Sequence, residues 1–145
     1  MDTTLTTNNL TQTQELAKNL APTFSPGTIL TLYGNLGAGK TTFVQGLAKG
    51  LGIEKRIISP TFVIVRAYEI KGKAVKKFYH IDLYRVESKN ELENLGIPEI
   101  LDDKEVIVAI EWAEKLEDLL PKKRVEIYLE DIGEDKREIS VKNYA

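Results

Sequence analysis

One glycine-rich turn between an apolar run and a helical segment constrains this chain more than anything else in it. Gly34-Asn35-Leu36-Gly37-Ala38-Gly39-Lys40-Thr41 fits G-x-x-x-x-G-K-[ST], the pattern of a phosphate-binding loop. Thr28-Ile29-Leu30-Thr31-Leu32-Tyr33 before it reads as a strand, and Thr42-Phe43-Val44-Gln45-Gly46-Leu47-Ala48 after it reads as the first turns of a helix. That order makes an anion site, because backbone N–H groups converge at the helix N-terminus and the helix dipole favours negative charge there. Gly34, Gly37 and Gly39 can take positive φ and let the backbone close on phosphate oxygens. Lys40 should reach the β and γ phosphates as a point charge. The Thr41 hydroxyl suits magnesium, which prefers hard oxygens and keeps several waters. The alternative, a glycine-rich turn that binds nothing, is disfavoured by the flanking strand and helix.

At 145 residues the chain is long enough to bury one core, so a single domain over 1–145 is expected. A formal charge of −2 leaves no footprint of a general nucleic-acid binder. Lys71, Lys73, Lys76 and Lys77 cluster locally and read as a solvated hairpin tip. There are no cysteines and His80 is the single histidine, which excludes disulfides, thiolate catalysis and multi-histidine metal sites. The first residues are polar and threonine-rich, and no apolar run reaches membrane-spanning length, so a cytoplasmic protein is expected.

Along the chain, Thr11 to Ala21 carries Leu16, Ala17 and Leu20 at helical spacing, with Asn9 or Thr11 as a cap. The strand before the glycine-rich loop is expected to be the first. The helix after the loop should run to about Lys49 and stop at Gly50 or Gly52. Phe62 to Tyr68 reads as a strand, Lys71-Gly72-Lys73 as a hairpin turn, and Ala74 to Ile81 as the return strand. Asn90 to Leu95 reads as a short helix ending at Gly96. Val106-Ile107-Val108-Ala109-Ile110 is the pattern of a strand covered on both faces. A helix is expected from about Trp112 to Leu120, then strands at Val125 to Leu129 and Arg137 to Val141, with a hairpin turn at Gly133. The sum is a three-layer α/β domain of the P-loop NTPase type, with a mixed central sheet flanked by helices.

A triphosphatase also needs a carboxylate for its magnesium shell and a group that positions water. Glu111 ends the most apolar strand and Asp82 ends the hairpin's return strand, and ligands gather at the carboxyl ends of strands in open α/β sheets. Glu111 is the magnesium-side candidate, against a surface acid opening the next helix. Asp82 is the candidate for orienting water or magnesium, against a helix or turn cap. Thr61, in a loop after Pro60, either meets the γ-phosphate or magnesium or simply opens a strand. Trp112 either packs only or also reports optically on the site. Arg66 and Arg85 could neutralise phosphate or bind a partner, with surface ion pairs as the default.

Several segments in order are more specific than the loop alone: Gly34 to Phe43, Ser59-Pro60-Thr61-Phe62, His80-Ile81-Asp82-Leu83-Tyr84-Arg85, Glu91 through Gly96, and Ile110-Glu111-Trp112. Together they resemble the bacterial TsaE (YjeE) family, the ATPase of tRNA threonylcarbamoyladenosine biosynthesis, over nearly the whole chain. The resemblance implies ATP and Mg2+ as cofactors and slow hydrolysis by the chain alone. It implies TsaD-type and TsaB-type proteins as partners, with tRNA reached indirectly through the complex. The partner transferase performs the carbamoyl transfer, and ATP turnover here resets it. On this pattern Lys40, Asp82 and Glu111 are catalytic, and Thr41 and Glu111 belong to the metal. Asn35, Leu36, Gly37, Ala38, Gly39, Lys40, Thr41 and Thr42 hold the nucleotide, with Thr61 and Trp112 beside it and Thr13 near the base. Ala113 stands where many members have proline, and Ile81 where phenylalanine is common; neither touches a charged or phosphate-facing group.

Three other readings compete. The loop is also similar to that of deoxynucleoside kinases, although the chain is short for an acceptor pocket and an arginine-bearing lid. A GTPase lacks support, since there is no N-K-x-D segment and Asp82-Leu83-Tyr84-Arg85 lacks the glycine of D-x-x-G. A nucleotide-gated binding module blends into the resemblance, because a slow ATPase acting on a partner is largely a switch.

Overall fold

The computed structural model describes residues 2–35, 37–54 and 64–144. Leu36 and Thr61, with the rest of Ser59-Pro60-Thr61-Phe62, lie outside the described residues. Among the described residues seven strands form one sheet: β1 (Thr3–Thr7), β2 (Ile29–Tyr33), β3 (Val65–Glu69), β4 (Lys77–Asp82), β5 (Val106–Glu111), β6 (Arg124–Gly133) and β7 (Lys136–Tyr144). Their spatial order is β1-β7-β6-β2-β5-β4-β3. β4, β5, β2 and β6 run parallel as neighbours, while β3, β7 and β1 add antiparallel edges. The mixed three-layer α/β arrangement expected from the sequence is therefore what forms.

Each face of the sheet carries its own core. On one, Leu30, Leu32, Ile107, Ala109 and Phe78 pack with helices α1 (Leu10–Leu20) and α2 (Lys40–Gly50). On the other, Ile29, Val106, Val108, Ile110 and Ile81 pack with the short helices α3 (Lys89–Asn94) and α4 (Ile97–Asp102) and with Ala113 and Leu116. All six residues of β5 are buried, which accounts for its unbroken apolar run.

Helices α1 and α2 pack at close range. A Cβ built on Gly46 would lie 2.3 Å from the Gln14 carbonyl oxygen, and one on Gly50 would lie 2.4 Å from that of Lys18. Ala17 and Ala21 face the same two glycines. The contact is latched by the Gln14 amide donating to Gln45 Oε1 at 2.9 Å. Asn9 caps α1 by accepting the Gln12 N–H at 2.8 Å, the first of the two caps expected.

The structure corrects the sequence reading in several places. The first strand is β1, not β2. Four of its five residues are exposed, so Thr3-Thr4-Leu5-Thr6-Thr7 shows no burial pattern; only its register with Arg137 to Val141 of β7 makes it a strand. The return strand β4 starts at Lys77 rather than Ala74; at Lys76 the carbonyl still accepts the Ile70 N–H at 3.0 Å, while the N–H turns to the Glu105 carbonyl at 2.8 Å, so the regular ladder begins one residue later. Gly96, with φ +74, ends α3 and also starts α4, a helix not expected, whose first turn carries Pro98. The segment expected as a helix from Trp112 is 3-10 geometry over Ala113–Leu119, broken where Glu117 takes φ 49°. The last hairpin forms as expected, with Glu134 and Asp135 both at positive φ just after Gly133.

Gly46→Ala should cost about 1–3 kcal/mol, the usual range for overpacking a fitted core. The colliding atom is helix backbone, which cannot swing aside. Urea unfolding followed by circular dichroism measures it, and an unchanged midpoint would contradict the close packing.

Candidate functional site

The glycine-rich loop leaves β2 and runs straight into α2. Gly37 has φ +81 and Gly39 φ +100, both in the region open to glycine. Gly34 must lack a side chain for a second reason: its Cβ would stand 2.6 Å from the Leu129 carbonyl oxygen of β6. Gly39 occupies the N-cap position of α2, where it offers no side-chain cap, and no acidic residue lies in the first turn. By contrast Asn9 caps α1 and Ser88 caps α3. The first amides of α2 are thus given no side-chain cap by the N-cap residue at the positive end of the helix dipole.

Lys40 opens α2 and is buried. Its Nζ donates to the Gly34 carbonyl at 2.8 Å and stands 4.2 Å from the centre of the Trp112 ring. An ammonium has three donors, so this arrangement holds the charge over an aromatic face without exhausting its capacity. Trp112 is placed by a left-handed backbone (φ 60, ψ 41), and its ring lies 5.0 Å from that of Tyr84. Thr41 and Thr42 follow on the first turn, half-buried.

Glu111 and Asp82 are level with each other at the ends of β5 and β4, with Leu32 of β2 in register on the other side. Glu111 is buried, and its Oε2 meets His80 Nε2 at 2.5 Å. His80 is fully buried and shares a face of β4 with Asp82 by the two-residue period of a strand. Asp82 is half-buried and accepts the Tyr84 N–H through Oδ1 at 2.9 Å, the turn-cap geometry weighed for it. Burial, the largest cause, pushes the Asp82 carboxyl above the usual aspartate range. The Tyr84 N–H opposes this, the Glu111 carboxylate adds to it, and His80 and Lys40 oppose it. That last influence ties Asp82, Glu111 and Lys40 into one electrostatic group.

The structure brings Lys40, Trp112, Glu111 and Asp82 to the loop end of the parallel strands, as the sequence suggested. Thr13 is fully buried in α1, and its hydroxyl pairs with that of Thr7 at 2.7 Å and reaches the Asn9 carbonyl at 3.3 Å. Asn35 is exposed at the loop tip, where its carbonyl accepts the Ala38 N–H at 3.0 Å. Two residues of the site carried no role in the sequence reading. His80 holds Glu111, and its place two residues before Asp82 in a strand was the available signal. Arg137 reaches the loop from β7, donating from Nε to the Ala38 carbonyl at 2.8 Å and from Nη2 to the Gly37 carbonyl at 3.1 Å. Its signal was an arginine in phase with the buried Ile139 and Val141 of an alternating strand. Arg66 and Arg85 lie on and beyond the hairpin, half-buried and exposed respectively.

A glycine-rich loop joining a buried parallel strand to an uncapped helix, with a carboxylate on the adjacent strand, defines a P-loop NTPase-like α/β protein. Residues 7–139 match the family model for the threonylcarbamoyl adenosine biosynthesis protein TsaE. The chain belongs to the TsaE family. It is 43% identical over 132 residues to the tRNA threonylcarbamoyladenosine biosynthesis protein TsaE of Bacillus subtilis, covering 91% of this chain and 80% of that protein. It is 39% identical over 135 residues to the protein of that name from Rickettsia felis, covering 92% and 76%. The crystal structure of Bacillus subtilis YdiB superposes with a TM-score of 0.78 at 34% identity, over 100% of this chain and 87% of that one.

The raised Asp82 pKa sets a sign for stability. The folded chain binds this proton more tightly than the unfolded chain, so the stability it contributes is present in acid. It is lost as pH rises from the ordinary aspartate range through the raised value. Asp82→Asn should therefore raise the melting temperature at neutral pH and converge on the parent chain at about pH 3, below the ordinary aspartate range. Equal shifts at both pH values would mean that ionisation of Asp82 carries no cost.

Proposed function

We propose that this chain is a magnesium-dependent ATPase that acts as the accessory factor of a tRNA threonylcarbamoyladenosine modification complex. The observation that carries the reading is the bare N-terminus of α2, with no side-chain cap and no first-turn acid, set beside a buried lysine. That arrangement fits a polyphosphate: amides and ammonium converge, and two carboxylates stand level at the ends of β4 and β5.

In this reading Lys40 exchanges its contacts with the Gly34 carbonyl and the Trp112 ring for phosphate oxygens. The loop from Asn35 to Thr42 wraps the phosphates with backbone N–H groups. Thr41 and Glu111 hold Mg2+, Glu111 through Oε1 or through water, because Oε2 is engaged by His80. Few protein ligands are in keeping with an ion that retains several waters. Bound there, the ion would neutralise charge developing on the phosphoryl oxygens. Asp82 keeps Oδ1 on the Tyr84 N–H and has Oδ2 for a water. Thr61, outside the described residues, is assigned to the γ-phosphate or magnesium on the sequence resemblance alone. Trp112 reports on the site, since no other tryptophan occurs in the chain. Thr13 serves the base side through the first turn of α1, its hydroxyl being committed to Thr7.

The partners in this reading are TsaD-type and TsaB-type proteins in the cytoplasm, with tRNA met through the complex. Among the described residues no helix is long and apolar enough to cross a membrane. Names of the relatives support the pathway; the residues above support the nucleotide chemistry.

Lys40→Ala should weaken ATP binding about tenfold to a hundredfold, the worth of one charge-assisted hydrogen bond, and abolish hydrolysis. Glu111→Gln should keep most of the affinity and lose turnover, because the phosphate contacts survive. Trp112 fluorescence gives the affinities and phosphate release gives turnover, each measured alone and with the TsaB–TsaD pair and tRNA. Slow hydrolysis that the pair does not stimulate, together with phosphoryl transfer to a nucleoside, would replace this reading with a small-molecule kinase.

A further inference from the structure

Arg137 is a buried cation on β7, the strand next to the β1 edge of the sheet. It sits on β7 opposite Asp131 of β6 and Thr7 of β1, with 6% of its surface exposed. Its guanidinium meets four oxygens: it donates to the Ala38 carbonyl, the Gly37 carbonyl and the Lys136 carbonyl at 3.0 Å, and it is ion-paired with Asp131 Oδ1 at 3.2 Å. Two of the four are consecutive carbonyls of the glycine-rich loop. A loop that turns its amides toward an anion turns carbonyls the other way, and buried carbonyls need donors. A planar guanidinium supplies two such donors at fixed spacing, which a lysine cannot. Gly39 lies against this guanidinium, since a Cβ there would stand 3.4 Å from Arg137 Nε, an ordinary contact.

We propose that Arg137 is a positioning residue that holds the glycine-rich loop in its phosphate-ready shape from behind, and that it couples this shape to the terminal strands β7 and β1. The proposal rests on the nucleotide reading for its functional consequence, but not for the holding itself. Without Arg137 the Gly37 and Ala38 peptides are free to rotate, and their carbonyls can turn into the space meant for phosphate. The loop then has to be ordered by the ligand at each binding event, so affinity falls while the reacting groups stay in place.

The test uses the full chain with Arg137→Met and with Arg137→Lys, which keeps the charge and much of the stem but cannot bridge two carbonyls. Amide hydrogen exchange without nucleotide should show residues 37–40 exchanging at least about tenfold faster in both variants, the worth of one lost hydrogen bond. Exchange in β2 and β5 should stay unchanged. ATP affinity from Trp112 fluorescence should fall about tenfold on the same basis, with kcat nearly unchanged at saturating ATP. Loop exchange equal to the parent chain in either variant overturns the proposal. A uniform rise through loop and strands together also overturns it, since that is what a merely stabilising arginine would give. Failure of the parent chain to bind ATP would sink the nucleotide reading instead, and the exchange data would still decide whether Arg137 holds the loop.

Discussion

Strand β5 is the constraint on which the rest depends. It lies between β2 and β4, parallel to both, with every side chain buried, and it divides the apolar residues into two cores. Its pairing sets Leu32, Glu111 and Asp82 level across three strands. The loop begins two residues past Leu32, so the register of β5 alone decides that a carboxylate stands beside it. A slip of one residue would send Glu111 to the opposite face and Ile110 under the loop. The unbroken apolar run before Glu111 would fit between both layers in either phase, so it is the buried pairing of Glu111 with His80 that marks this register.

That register gathers charges that the interior would otherwise reject. Lys40, Glu111, His80 and Arg137 are all buried near one end of the sheet. Burying an ion is tolerated where hydrogen bonds and opposite charges compensate it. Arg137 meets the condition with carbonyls and Asp131, and Glu111 meets it with His80. Glu126, on β6, shows what full compensation does: burial alone would raise its pKa, but hydrogen bonds from Tyr128 and Arg124 outweigh that and hold it below the usual range. Asp82 has one backbone N–H and a neighbouring carboxylate, and burial wins. The difference separates a settled structural ion pair from a group left under-compensated. Groups left this way are where chemistry concentrates.

Much of this was legible in the sequence because it rests on local pattern. The loop and its flanking elements, β5, and the carboxylates at the ends of β4 and β5 all follow from spacing and apolar periodicity. The family followed from short segments read in order. What escaped was fixed by contacts distant in sequence. β1 has four exposed residues and owes its existence to pairing with β7, 130 to 138 positions away. The segment after Trp112 has helical composition, yet left-handed backbone at Trp112 and Glu117 tightens and breaks it. Arg137 is 99 and 100 positions from the two loop carbonyls it bonds, and local patterning said only that it faced inward. Thr13 sits at helical spacing near a cap, and nothing local said that Thr7 would claim its hydroxyl.

These distant contacts close a ring around the glycine-rich loop. The loop leads into α2, and Gly46 and Gly50 let α2 lie directly against the backbone of α1. Helix α1 is tied to β1 by the Thr7–Thr13 hydroxyl pair, and β1 is paired along its length with β7. From β7, Arg137 returns to the loop. Every link is chain continuity, a hydrogen bond or a close helix-to-helix approach, so no part of the ring can shift far while the others stay. A loop joined only to β2 and α2 would have two hinges and several glycines, and would have to be ordered by whatever it binds. A loop held from behind, with its amides already facing one way, presents an anion with a formed cradle, and less of the binding free energy goes to ordering it.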